Sequence, residues 1–255
     1  MPISRDADNL ECPHGMRRHS IVQVLLADVI HGQLRPGEHL VTQDLAVRFG
    51  VSHTPIREAL MTLAGMGIID LLPNRGAVVR QMTTREVREI YRVRRALECV
   101  ATRAACGQLD PAHLHALAGE LRRLLAAKAV RSAERYIEQA REIDSRLHDL
   151  IGAASGNGFL AKELDRLKTL FRAFRDAAWE VRGQRQNLRR VREEAQEHLE
   201  VVEALLDNNA KEAARAMGRH LRSGCRYWTR VMAEPASSSN GQGNGAKSPP
   251  RNYRK

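Results

Sequence analysis

The chain has 255 residues and carries 41 Lys+Arg against 30 Asp+Glu, a formal charge of +11, with 43% hydrophobic residues but only 4% aromatics. That length supports two domains with separate cores, and a composition built on Leu, Val and Ala suits a helical protein. No run of about eighteen apolar residues occurs, which excludes a membrane-spanning helix, and the acid-containing start (MPISRDADNLECPHG) does not read as a signal peptide.

The charge does not by itself point to nucleic acid. Residues 1–80 hold eight basic and eight acidic residues, so the whole positive excess lies further on. Cys12, Cys99, Cys106 and Cys225 form no CxxC pair. Cys99 and Cys106 read as small core residues of one helix, and a reducing cytoplasm is the expected location.

In chain order, residues 1–15 read as disordered. Met16 to Leu34 carries Ile21, Val24, Leu25, Val29 and Ile30 as one helical stripe, stopped near Gly32 and Pro36. Gln43 to Phe49 predicts a short helix with Leu45, Ala46 and Phe49 inward. Gly50 allows a left-handed turn, Val51 plugs the angle between two helices, and Ser52 is a good N-cap. Pro55 falls in the first turn of the next helix, where it costs little. Ile56, Ala59 and Leu60 resume the apolar face, and the helix runs through Met61–Met66 to Gly67. Ile68 to Leu72 then reads as a strand, Pro73-Asn74-Arg75-Gly76 as a turn and Ala77 to Val79 as the returning strand.

Helix, turn, helix and hairpin make a winged helix-turn-helix over residues 16–80. Ser52, His53, Thr54 and Arg57 face outward at the start of the second helix, with the hydrogen-bonding chemistry that reaches phosphates and base edges in a major groove. Arg75 at the hairpin tip is placed for a minor groove or a phosphate. Thr42, Gln43 and Gly76 complete the expected DNA interface. The run Leu34 to Val79 resembles the DNA-binding half of the GntR family of bacterial transcription regulators, in its PGE-L opening, GVS-TP-REAL core and PNRGA-V wing. The family often has Arg where this chain has His53.

Residues 81–233 are helical almost throughout, and six helices with short connections predict an antiparallel bundle. Thr83 or Thr84 caps the first, which ends before Gly107. Asp110-Pro111 starts the second, reaching about Val130. The others span Ser132–Ala154, Phe159 to about Val181, about Asn187 to Leu206, and Ala210–Met232. Residues 234–255 (EPASSSNGQGNGAKSPPRNYRK) read as a disordered basic tail.

Four polar residues stand on apolar faces of this bundle. Asp144 and His148, four apart, share a stripe with Ile137, Ala140, Leu147 and Ile151. His198 falls in line with Val191, Ala195, Val202 and Leu205, and His220 with Ala213, Met217, Leu221 and Gly224. Any one of these is an ordinary core histidine. Three of them with a carboxylate are either a set of core residues or the ligands of a divalent ion, with zinc, nickel, manganese and iron all fitting. His113 and His115 read as solvated residues, and Asn157 as a turn or N-cap residue.

R-x-x-L-E (Arg94 to Glu98), D-x-x-x-H (Asp144 to His148), EHLEVVEAL around His198 and MGRHL around His220 resemble the all-helical ligand-binding (FCD) domain of the FadR subgroup within that family. The helix count is that of its shorter, six-helix, VanR-like branch. The resemblance implies a metal, zinc first, on Asp144, His148, His198 and His220, with a small organic acid binding beside it. Arg94 is the candidate for the acid's carboxylate.

The expected protein is thus mostly α: an N-terminal winged helix-turn-helix and a C-terminal antiparallel bundle. It is expected to act as a cytoplasmic homodimer on double-stranded DNA with a palindromic operator. A small acid would alter the spacing of the two recognition helices and release a repressor from DNA. No catalytic residue is assigned. Two rivals remain open: a metalloenzyme-like bundle fused to a DNA-binding domain, and a constitutive DNA-binding dimer whose histidines are core residues.

Overall fold

The computed structural model describes residues 14–73, 75–127, 132–179 and 184–233. Segments 1–13 and 234–255, Cys12, Asn74, and the expected helix ends at Val130 and Val181 lie outside them. The described chain has helix α1 (His14–Ile30), strand β1 (His39–Leu40), helices α2 (Thr42–Phe49) and α3 (His53–Gly65), and strands β2 (Ile69–Leu72) and β3 (Gly76–Val79). Six long helices follow: α4 (Thr84–Ala105), α5 (Pro111–Ala126), α6 (Ala133–Ala154), α7 (Gly158–Trp179), α8 (Gln184–Leu206) and α9 (Ala210–Ala233).

The first part packs α1, α2 and α3 around Leu25, Ile56, Ala59, Leu60 and Leu63, and closes with an antiparallel sheet of order β1-β3-β2. Leu25, Ile56, Leu60 and Leu63 each contribute about 1.5–3 kcal/mol by leaving water. On α1 the buried face lies between the Ile21–Leu25–Val29 row and a Val22–Leu26 row. Val24, expected on the stripe, is therefore turned away and 40% exposed.

Gly50 has φ +62°, as the turn requires, and its N–H reaches Val47 O. Ser52 sits at the N-cap of α3 with extended backbone, but its side chain makes no capping bond. The reason is local: the third helical residue is Pro55, which has no N–H to give. Strand β1 was not expected, because two residues carry no period. It exists through its partner, with His39 opposite Val78 and Leu40 opposite Ala77.

Thr83 starts α4 with a reciprocal box: Glu86 N donates to Thr83 Oγ1 at 3.2 Å, and Thr83 N to Glu86 Oε2 at 2.8 Å. Asp110 caps α5 ahead of Pro111, and Asn157 accepts from Leu160 N at the start of α7. Helix α9 can lie close against α4 because Gly224 has no side chain; a Cβ there would stand 2.8 Å from Tyr91 Oη.

Helix α7 serves two cores. Phe171 packs in the bundle against Tyr91 and Trp228, with ring centroids 5.0 and 5.8 Å away. Leu170 and Ala173 instead enter the core formed by α1, α3 and the sheet. Across the same junction Arg80, after β3, pairs with Glu86 at the start of α4.

Candidate metal centre and DNA-binding face

Helix α3 buries Pro55, Ile56, Ala59, Leu60 and Leu63, so its other side must face solvent. Ser52, His53, Thr54 and Arg57 are all exposed there, with Gln43 of α2 and Arg75 at the hairpin tip; Thr42 and Gly76 are half-buried. Thr42, Gln43, His53, Arg57, Arg75 and Gly76 line one open cleft between α3, the start of α2 and the hairpin, while Ser52 and Thr54 lie outside its lining. His53 Nε2 is 2.7 Å from Gln43 Oε1, which ties the first residue of α3 to α2.

In the bundle, the four polar residues singled out by spacing come together. One ligand atom from each of Asp144, His148, His198 and His220 lies within 4.8 Å of every other. His198 Nε2 is 3.3 Å from both His220 Nε2 and Asp144 Oδ1, and His148 Nε2 is 3.5 Å from Asp144 Oδ1. Donors on one tetrahedral ion with bonds of about 2.1 Å stand roughly 3.4 Å apart, so the spacing fits. His148 Nε2 is buried without a hydrogen bond. The three imidazoles are buried, whereas the Asp144 side chain keeps 24% of its exposure and is less enclosed than its stripe implied.

Arg94 is buried, not solvated beside the exposed Arg92 and Arg95. Its Nε donates to Glu98 Oε1 at 2.7 Å, and its guanidinium lies over the Tyr91 and Phe171 rings. Glu98 Oε2 is 2.5 Å from His148 Nδ1, so Arg94 reaches the cluster through a carboxylate. Arg94, Glu98 and His148 line a cavity of about 200 Å³ walled by Gly152, Ala153, Ala161 and Leu164, with Lys168 also on its lining. That is below the roughly 300 Å³ at which drug-sized sites begin, and it suits a small occupant.

The electrostatics follow from this packing. Burial is the largest single influence on His148 and Glu98 and opposes the charged form of each, but their charged partners together outweigh it. Glu98, with help from Asp144, raises His148 to about 9. Arg94 first, and His148 after it, hold Glu98 at about 2. His198 is pushed well below the usual imidazole value, by burial first and by His220 second. Burial raises the Glu197 carboxyl, but His220 and Arg190 outweigh that and lower it overall.

Two residues at the cluster were given no role by the sequence. Glu197 Oε2 is 2.9 Å from His220 Nδ1, and Arg190, 2% exposed, sits behind Glu197. Both stand among the many charged residues of α8, none of which breaks an apolar stripe as His198 does. His113 and His115 are exposed, as expected.

A three-helix winged unit with a polar outer face, joined to a six-helix bundle, is the architecture of a class of DNA-binding transcription regulators. Residues 17–79 match the gntR family of bacterial regulatory proteins and residues 89–223 match the FCD domain. The chain belongs to the GntR family of transcription regulators, in its FCD-containing FadR subgroup.

It is 26% identical over 201 residues to the HTH-type transcriptional repressor RspR of Escherichia coli K12, covering 79% of this chain and 84% of that one. It is 30% identical over 213 residues to an HTH-type transcriptional regulator in an unstable DNA locus of Streptomyces ambofaciens, covering 81% and 82%. The solved structure of E. coli McbR/YncC shares the fold, with a TM-score of 0.67 at 22% identity over 84% of this chain and 97% of that one. No described helix is long and apolar enough to cross a membrane.

Proposed function

We propose that this DNA-binding regulator is metal-dependent and responds to a small carboxylate, acting as a cytoplasmic homodimer that represses until the acid binds. The observation that carries the reading is the meeting of three imidazoles and the Asp144 carboxylate at one point, beside a cavity that also holds Arg94. Asp144, His148, His198 and His220 would hold the ion. Three nitrogens and one carboxylate suit zinc first, with nickel, manganese and iron as the other candidates. When bound, the ion supplies a Lewis-acidic point for a carboxylate oxygen. Arg94, with Nε engaged by Glu98, offers the rest of its guanidinium as a second anchor.

Helix α7 supports a route from ligand to DNA. It lines the cavity with Ala161, Leu164, Asp165 and Lys168, and it buries Leu170 and Ala173 in the winged core. An acid that shifts α7 shifts the footing of the winged unit. In a dimer that alters the spacing of two recognition helices on a palindrome.

The test is elemental analysis of the purified protein before and after chelation, followed by melting with a panel of small carboxylates. About one ion per chain is expected, with an acid raising the melting temperature only in the metal-bound form. No metal and no acid shift would reduce the bundle to a dimerisation module. Turnover of the acid would favour an enzyme.

Metal uptake should also move protons. At about pH 7.5 the metal-free His148, raised to about 9, is charged, while His198 is neutral. Binding an ion at His148 therefore displaces about one proton. Calorimetry in two buffers of different ionisation heat reads this directly; identical heats would count against His148 as a ligand. In the metal-free protein the same raised value gives stability that is full below about 6.5 and lost as pH rises through about 9.

On the DNA side, Arg57→Ala should weaken operator binding by about tenfold or more, the loss expected of about 1–3 kcal/mol for a base-contacting Arg. Thermal stability should hardly change, because Arg57 is exposed. Unchanged DNA affinity would defeat this docking of α3.

A further inference from the structure

We infer that Glu197 and Arg190 are positioning residues of the metal centre: Arg190 fixes the Glu197 carboxylate, which holds His220 so that its Nε2 is turned toward the ion. The inference rests on the metal reading above and adds to it two residues that touch neither ion nor ligand.

The geometry runs in one direction. Arg190 lies on α8 and is almost fully buried, stacked 5.2 Å from the centre of the Tyr227 ring. Its Nε donates to Glu194 at 3.0 Å and its Nη1 to Ser223 Oγ at 2.9 Å. The two Nη atoms each stand 3.5 Å from a different oxygen of Glu197, facing both oxygens of that carboxylate. Glu197 Oε2 in turn accepts from His220 Nδ1 at 2.9 Å, across the α8–α9 packing. A neutral imidazole that gives its Nδ1 proton to a carboxylate keeps a bare lone pair on Nε2. That atom lies 3.3 Å from His198 Nε2, inside the cluster.

The same arrangement occurs a second time from other helices. Arg94, buried and stacked on Tyr91, bonds Glu98, whose second oxygen is 2.5 Å from His148 Nδ1. The sequence spacing differs, four residues between Arg94 and Glu98 against seven between Arg190 and Glu197, and the recipient histidines sit on α6 and α9. What the two chains of contacts share is their end point. A surface ion-pair network has no reason to finish twice on the outer nitrogen of a cluster histidine, whereas a metal site does. A carboxylate behind a ligating imidazole sets its tautomer and ring orientation and raises its basicity. The Arg94 side also lines the acid cavity, but Arg190 and Glu197 line neither that cavity nor the small void beside Asp144 and His198. Substitution at Glu197 therefore reports on the ion without disturbing a ligand contact.

The experiment uses the full chain and zinc alone, with affinity measured by competition against a chromophoric chelator. Glu197→Ala is expected to lose about 10–100-fold in zinc affinity; its metal-free form melts lower than the wild type but still folds, because Arg190 keeps Glu194 and Ser223 as partners. Glu197→Gln, which keeps an acceptor oxygen and loses the charge, should fall between the two. Nitrogen NMR of the zinc-loaded wild type should show His220 protonated at Nδ1 and coordinated through Nε2. Should Glu197→Ala fail to fold, Glu197→Gln and the NMR spectrum still decide the matter. Zinc affinity unchanged in a folded Glu197→Ala protein, or a His220 bound through Nδ1, overturns the relay alone. A wild type that takes up no zinc overturns the metal reading and the relay together.

Discussion

Gly76→Ala should be the most damaging small substitution in the winged unit, at about 2–3 kcal/mol or more. Gly76 begins β3 with φ +83°, where a residue with a Cβ is strained by roughly 1–2 kcal/mol on that ground alone. Space makes it worse. A Cβ at Gly76 would stand 2.1 Å from Leu40 O, with the Val41 backbone behind it. That oxygen cannot swing aside like a side-chain tip, because Leu40 is buried and its strand is paired with β3 at Ala77. Relief requires β1 or the hairpin to move, which displaces Arg75 and the cleft it lines. Gly50→Ala is the control: φ is +62° there as well, but a Cβ would meet nothing within 4 Å. Melting followed in the winged unit should separate the two variants, with operator binding lost in Gly76→Ala first. Equal melting of both would show that the Leu40 contact is not what makes Gly76 necessary.

What the sequence disclosed, and what it withheld, follows from range. Leu45, Ala46, Gly50, Ile56 and Leu60 act over a few residues, so the paired helices and the turn between them were readable from spacing. The hairpin was readable for the same reason, with Pro73 and Gly76 marking its ends. Strand β1 was not, since His39 and Leu40 are a strand only because β3 lies alongside. The absent cap at Ser52 could have been foreseen: a proline three residues on removes the N–H that the hydroxyl would accept.

In the bundle, Asp144, His148, His198 and His220 were legible as a group because each interrupts an apolar stripe, and stripes on neighbouring helices face one another. Glu197 and Arg190 gave no such sign. Helix α8 carries Arg189, Arg190, Arg192, Glu193, Glu194 and Glu197 within two turns or so, and periodicity cannot tell which arginine turns inward. Arg94 showed the converse. Its Glu98 partner at four residues was visible in the sequence, but burial and the contact with His148 depend on α6, some fifty residues away. The double duty of α7, with Phe171 in one core and Leu170 in the other, depends on how the two parts dock and has no local signature at all.

His198→Ala gives the largest effect expected at the centre. His198 is the middle of the cluster, 3.3 Å from Asp144 on one side and from His220 on the other, and it is 2% exposed. Structural zinc sites of four ligands bind with roughly 10–16 kcal/mol, so losing one ligand should weaken zinc on the order of a hundredfold or more. The fold should survive the change. His198 is held neutral by its surroundings, so its removal strands no charge, and the Asp144 carboxylate stays in reach of His148. At a zinc concentration about 100 times its Kd the wild type gains about 2.7 kcal/mol, which raises the melting temperature by roughly 5–10 °C for a chain of this size. At the same zinc concentration His198→Ala should show almost none of that rise, and no response to any acid that stabilises the wild type. The comparison separates the metal centre from its plainest rival. Core histidines that merely fill space would give no zinc effect in the wild type, and a variant changed only by a lower melting temperature. Ligands give a variant that melts near the metal-free wild type and no longer responds to the ion.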